Sequence, residues 1–392
     1  MKSYVQATTL TCALGRGNRA TLSALRERRG ALKHQDFAGV TLDTATGVVE
    51  GLDGVAMPIG MESYDCRSNR LAELALLQDG FADAVLAARE RFGAKRIGLY
   101  IGTSSAGILE VELGYRVRNA EIRALPDGIR YREAMNLFSP AAYVGERFDL
   151  AGPAVVISSA CASSAKAFAA GARALSAGIC DAVIVGGVET LSLTTLYGFR
   201  SLELLSTLPC RPCDSGRDGI SLGEAAGYAL LTRDRHNARI ALLGYGESGD
   251  AWHLSTPHPD GLGAAMAMRD ALDMAGVDAT DIDYVNLHGT GTKTNDLAED
   301  KAIRVVLGDD VSRSSTKGFT GHALGAAGVV EALITIMAID EGFVPGTLNC
   351  TTVDPEIEGR IEIDGRRARV AHAVSNSFGF GGTNCALVFG RN

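Results

Sequence analysis

Residues 154–175 read AVVISSACASSAKAFAAGARAL. The opening run of four apolar residues, three of them β-branched, predicts a short strand buried on both faces. The small polar residues after it cannot extend such a strand. KAFAAGARAL then sets apolar side chains at three- and four-residue spacing, which predicts a helix over 162–177. A strand that feeds a helix through a tight turn is the unit of an α/β fold, and the turn lifts one side chain, that of Cys161, above the sheet edge. The unpaired N–H groups and positive end of the helix favour a thiolate there, and the same groups could hold an oxyanion. Taken singly, Cys161 has a second reading as a small core residue, because Cys is among the most buried residue types.

The same alternation extends along the chain. Strands are expected in the N-terminal MKSYVQATTLTC and at 97–102, 154–158, 182–186, 240–244, 282–287, 369–375 and 386–389. Helices are expected between them at 69–92, 162–177, 263–275, 296–306 and 324–340. Several strands lack clean apolar/polar alternation, as strands covered on both faces do. The polar stretch TRDRHNAR at 232–239 is where the chain divides, giving halves 1–237 and 238–392. The segment 103–150, of mixed polarity and with few strand signals, reads as an insertion in the first half that covers a site or meets a partner.

Composition narrows the function classes. With 46% hydrophobic and 21% charged residues, the chain is neither disordered nor a membrane protein in character. A net charge of −8 gives no global reason to bind nucleic acid, which needs a basic face. The N-terminus fails as a signal peptide and no run approaches eighteen apolar residues, so a cytoplasmic location is expected. The cysteines at 12, 66, 161, 180, 210, 213, 350 and 385 show no disulfide framework and are expected to be reduced. The lone CxxC at Cys210 and Cys213 has neither a second pair nor a zinc-finger His, so it reads as loop and no metal site is expected.

Two histidines stand at element ends. His288 closes the apolar strand of YVNLHGTGTKTND, before a Gly-Thr loop that lets a substrate approach the backbone, and His322 lies in a Gly-flanked loop that turns into a helix. Either alone could be a structural cap. The glycines of SNSFGFGGTNC at 375–385 are not a dinucleotide fingerprint, since no G-x-G-x-x-G and no following helix are present. A Gly-Phe-Gly-Gly loop suits a mobile aromatic gate with a free backbone N–H.

In order, SSACASS (158–164), HGTGTKTND (288–296), STKGFTGHALGAAGVVE (315–331) and NSFGFGGTN (376–384) resemble the β-ketoacyl-[acyl carrier protein] synthases, the type I/II branch of the thiolase superfamily. The likeness continues through GLYIGTSSAG, GGVETLS, RPCDSGRDGISLGEAAG, GYGESGDAWHLSTPHPDG and GFVPGTLNCTTVDPE, nearly the whole chain. It implies a thiolase-like α/β fold, with two similar halves in a layered α-β-α-β-α arrangement. Cys161 is then the acyl-accepting nucleophile, His288 and His322 the paired imidazoles, and Lys317 and Glu331 their support. The backbone N–H groups of Cys161 and Phe380 fall on the oxyanion hole, while Thr290, Thr292 and Phe380 fall on the substrate-binding positions. Arg67 and Arg70 fall where the family meets its acidic carrier protein.

The implied reaction is a decarboxylative condensation of an acyl thioester, held on Cys161, with malonyl-acyl carrier protein. No resident cofactor is implied, because the substrates travel on the carrier's phosphopantetheine. The implied partners are acyl carrier protein and a second synthase-like chain, in a homodimer or heterodimer. Pathways of the fatty-acid or polyketide/polyene type both fit, and a ketosynthase/chain-length-factor pair and a thiolase-like acyltransferase stay open. A thiolase would need a second active cysteine, and Cys385 in TNCALVF lacks that context. Pro212-Cys213, Ser221-Leu222 and FVPGT at 343–347 depart from the usual motifs without removing a catalytic group.

Overall fold

Short, fully buried apolar runs can only be satisfied in a sheet covered on both faces, and this is what the chain builds. The structure, a computed structural model, describes residues 2–392 apart from positions 36, 40, 120, 122, 123, 125, 127 and 128. Its principal strands are β1 (Ser3–Cys12), β2 (Ile97–Gly102), β3 (Ala154–Ile157), β4 (Ala182–Glu189), β5 (Ala225–Thr232), β6 (Ile240–Gly249), β7 (Tyr284–Asn286), β8 (Ser312–Ser314), β9 (His372–Gly379) and β10 (Thr383–Arg391). They run across one sheet in the order β8-β7-β9-β10-β6-β1-β5-β4-β2-β3.

That order contains a repeat. Within β1–β5 the third strand is parallel to the second, the second to the fourth, and the fourth, fifth and first pair antiparallel. Strands β6–β10 repeat the circuit with the same directions. The first strands of the two sets, β1 and β6, pair antiparallel at Ser3–Leu242 and Tyr4–Ala241 and so join them.

Alternate residues on a strand serve different cores. On β5, Ala226, Tyr228 and Leu230 face an outer cluster with α1 (Arg67–Leu76) and α2 (Phe81–Phe92). Ala225, Ala229 and Leu231 face a central cluster built on α3 (Ser163–Ser176). On β10, Ala386 and Val388 face a second outer cluster with α4 (Leu262–Ala275) and α5 (Lys293–Leu307), while Cys385, Leu387 and Phe389 join the central one. The fold is therefore layered helix, sheet, paired helices, sheet, helix. The second central helix, α6 (Ala327–Glu341), is buried from Ala327 to Ile339, because a helix apolar on nearly every side must be covered all round.

Two expectations need correction. The helix expected over 69–92 is two helices, interrupted where Asp79 and Gly80 take φ of +56° and +67°. The break is used: both Asp79 oxygens accept from the Asn18 N–H, at 3.1 and 3.0 Å. Strand β5 was not expected at all, since AAGYALLT carries no run of β-branched residues. Its small side chains are needed, because a Cβ on Gly227 would come within 2.9 Å of Leu333 and 3.2 Å of Val329 on α6. The 103–150 segment forms helices at Ile108–Arg116 and Ser139–Arg147, and its positions 120, 122, 123, 125, 127 and 128 lie outside the described residues.

Candidate active site

Three loops from the sheet ends meet over α3. Cys161 stands between β3 and α3, and Ala160 before it has φ +47°, a left-handed turn that an L-residue adopts only when the surroundings hold it. The thiol is buried, and the N–H groups of Phe380 and of Cys161 itself reach its sulfur. The backbone approaches closely at Gly379, where a Cβ would lie 3.1 Å from the Cys161 nitrogen and press on this turn.

His288 follows β7. Its N–H and that of Gly289 donate to the two Glu299 oxygens, each at 2.8 Å. Lys317 Nζ donates to the His288 carbonyl and to Glu331 Oε1 at 2.7 Å, and lies 3.3 Å from His288 Nδ1. His322 is held by backbone on both sides: its N–H donates to the Ser221 carbonyl at 2.7 Å and its carbonyl accepts from Gly223 N–H at 3.0 Å. The Leu324 N–H donates to His322 Nδ1 at 3.1 Å. The two rings stand at 83° with centroids 5.3 Å apart, and one ligating atom each of Cys161, His288 and His322 lies within 4.8 Å of the others.

These bonds fix the tautomers. A ring nitrogen that accepts cannot carry the proton, so both imidazoles keep hydrogen on Nε2, as donors towards the pocket. Burial, and after it the Lys317 charge, hold both histidines well below the usual imidazole range, so the rings are neutral as well as oriented. By residue type alone the triad could hold a soft metal. Ligation through Nε2 would instead need a proton on Nδ1, where His322 meets the Leu324 N–H and His288 meets an ammonium.

The thiol differs from expectation. The helix end was expected to lower its pKa, whereas burial pushes it up to about 11, against the opposing pull of the Lys317 charge and the Phe380 N–H. At pH 8 such a thiol is about 0.1% ionised. The rate of Cys161 alkylation by iodoacetamide is therefore expected to rise about tenfold per pH unit from pH 7 to 10. A rate that levels off near pH 8, followed by mass spectrometry, would show an activated thiolate instead.

A cleft leads to the triad. Thr290 and Thr292 line it, their hydroxyls 2.9 Å apart, with Ser255, Thr256 and Pro257 also at the wall. The Phe380 ring rests on Phe199, centroids 5.7 Å apart. Cys210 and Cys213 are both buried and free, with the Cys210 Sγ donating to the Lys317 carbonyl at 3.3 Å.

The arginine expectation is half overturned. Arg67 is 7% exposed and turned inward, its guanidinium bonded to both oxygens of buried Glu224 and to Asp53, so it presents no surface cation. Arg70 is at the surface, forked onto Asp65. Missed altogether were Glu299, which positions His288, and Asp296, which accepts from Gly291 N–H at 3.2 Å. Both had a signal: three carboxylates, at 296, 299 and 300, fall on one face of the helix directly after HGTGT.

The family description "Beta-ketoacyl synthase, N-terminal domain" matches residues 21–237, and "Beta-ketoacyl synthase, C-terminal domain" matches residues 240–351. The chain belongs to the β-ketoacyl synthase family. Among relatives of this synthase, "3-oxoacyl-[acyl-carrier-protein] synthase 2" of Vibrio harveyi is 38% identical over 325 residues, covering 76% of this chain and 75% of the relative. The protein of the same name from Vibrio cholerae is 36% identical over 379 residues, covering 88% and 87%. Among solved structures, the ketosynthase ApeO in complex with its chain length factor ApeC, from Xenorhabdus doucetiae, aligns with TM-score 0.90 at 34% identity, covering 100% of this synthase and 98% of that chain. A β-ketoacyl synthase from Burkholderia phymatum aligns with TM-score 0.88 at 29% identity, covering 100% and 99%.

Proposed function

We propose that this synthase condenses an acyl thioester with malonyl-acyl carrier protein, giving a β-ketoacyl thioester two carbons longer. The observation that carries the residue assignment is the convergence of one buried thiol, two neutral Nε2–H donors and the Phe380 N–H on a single point. In the first half-reaction the Cys161 sulfur attacks the acyl carbonyl. The Cys161 and Phe380 N–H groups receive the tetrahedral oxyanion, and the thiol proton ends on the departing pantetheine sulfur.

In the second half-reaction the malonyl group loses CO₂ and its thioester oxygen becomes an enolate, which two neutral imidazole donors stabilise without carrying charge themselves. The enolate carbon attacks the acyl-Cys161 carbonyl, the C–S bond breaks, and the released thiolate takes one proton from water. Lys317 and Glu331 act by holding His288. Thr290 and Thr292, one wall of the cleft, are placed to hydrogen-bond the pantetheine arm. This chemistry calls for no resident metal or prosthetic group, since thiol, imidazoles and backbone donors supply every step.

The chain reads as two halves, 1–237 and 238–392, on the strength of the repeated strand circuit. The partners in this reading are acyl carrier protein, present in the name of the Vibrio relatives, and a second synthase-like chain. The edge strand β3 supports the second partner: it pairs only with β2 among the described residues, exposes Ala154 and Val155, and lies beside a helix preceded by exposed Leu137 and Phe138. The ketosynthase ApeO, solved with a chain length factor, favours a heterodimer in this reading, and the pathway is of the fatty-acid or polyketide/polyene type. A cytoplasmic location belongs to this reading; among the described residues no helix is long and apolar enough to cross a membrane, and the eight cysteines are free.

The test is incubation with a ladder of acyl-carrier proteins, alone and with a candidate partner chain, followed by peptide mass spectrometry. An acyl adduct on Cys161 is expected, and its absence with every chain length would refute the reading.

A further inference from the structure

Residues 250–261 form a loop without regular structure, from which Asp250, Ser255, Thr256 and Pro257 line the cleft together with Thr290 and Thr292. Such a loop must satisfy its N–H groups somehow, and here an imidazole does it. His253 Nδ1 accepts from the N–H groups of Ser255, at 3.1 Å, and Thr256, at 3.2 Å. These are two of the residues that line the cleft. The loop is tied in turn to the glycines after Phe380. Gly381 N–H donates to the Leu254 carbonyl at 2.6 Å, Asp250 N–H donates to the Gly382 carbonyl at 2.8 Å, and Asn384 Nδ2 donates to Asp250 Oδ1 at 2.7 Å. Asp250 Oδ2 also accepts from His258 N–H at 3.0 Å.

We propose that His253 is a positioning residue for the pantetheine arm: by accepting from two successive backbone N–H groups it folds Ser255 and Thr256 against the cleft that Thr290 and Thr292 also line. The inference rests on the condensing function above and deepens it. His253 itself is exposed and touches no reacting atom, so its effect falls on capture of the arm. The acceptor is specific in position. In His, Nδ1 is bonded directly to Cγ, and the Oδ1 of Asn stands at the same place, where Asn commonly accepts from an N–H two residues on. The Oε1 of Gln is one bond further out and matches the far ring nitrogen instead.

The experiment compares wild type, His253→Ala, His253→Asn and His253→Gln in acylation of Cys161 by two octanoyl thioesters, one of pantetheine and one of ethanethiol, which lacks the arm. For His253→Ala the KM for octanoyl-pantetheine should rise about three- to tenfold, the net worth of a hydrogen bond or so, at unchanged kcat. The ethanethiol ester should be used as by wild type. His253→Asn should restore the KM and His253→Gln should not. An unchanged KM in His253→Ala overturns the proposal, as does an equal loss on both esters or rescue by Gln as good as by Asn. Unaltered thermal melting excludes unfolding as the cause. Failure of wild type to acylate Cys161 with either ester would instead remove the condensing function on which the proposal stands.

Discussion

Replacing Cys161 by alanine should abolish acyl transfer while sparing malonyl decarboxylation. The bond that parks the acyl chain is made by this sulfur alone, and the other seven cysteines are buried elsewhere in the fold without the His288–His322 pair beside them. Loss of a covalent nucleophile typically costs a factor of about 10⁴ or more. Condensation should fall by at least that much, with no acyl adduct by mass spectrometry. The imidazole donors and their supports do not depend on the sulfur, so release of CO₂ from malonyl-carrier protein should continue. Loss of both activities in a folded Cys161→Ala protein would mean that the thiol serves the site in some other way.

The converse expectation concerns His322. His322→Ala deletes one of two Nε2–H donors to the enolate, and removing a single such donor costs about 10²–10³ in rate. Malonyl decarboxylation should drop by that factor, while acylation of Cys161, which relies on the Cys161 and Phe380 N–H groups, should persist. The substitution also leaves the buried Leu324 N–H without its acceptor, a cost of about 1–3 kcal/mol in stability. Measuring the two half-reactions separately on protein shown to be folded distinguishes the roles, and equal loss in both would refute the assignment. The pH dependence has a definite sign. Burial holds both imidazoles far below pH 6.5, so the neutral donor form is present above that depressed value and is lost only in stronger acid. Decarboxylation should therefore show no imidazole limb between about pH 6.5 and 8.

The groups that meet at the candidate site were legible because they sit at strand ends in loops of unusual composition: Cys161 among serines, His288 before Gly-Thr repeats, Phe380 between glycines. What surrounds them was not. The helix end beside Cys161 is a local feature, whereas His288, Phe378 and Phe380, which line the cleft with it, come from more than 100 positions away. Local reasoning therefore predicted a lowered thiol pKa where desolvation raises it. Arg67, which the resemblance alone assigned to the carrier-protein contact, is turned inward by Glu224, 157 positions away in the chain. Strand β5 was lost to composition, since alanine and glycine are chosen there for closeness to α6 and not for strand propensity. Glu299 could have been found, because a helix face with three carboxylates next to a candidate catalytic loop has a reason to point inward.

The repeated circuit of strands has a consequence for how the molecule matures. Cys161 is supplied by strands β1–β5, whereas His288, His322 and Phe380, which meet it in the cleft, follow β6 in the chain. During synthesis the first set of strands leaves the ribosome before the two imidazoles and the Phe380 loop can close over the thiol. Its greatest exposure to oxidants and stray electrophiles thus falls before the enzyme exists, and docking of the second set both completes the site and protects its most reactive atom.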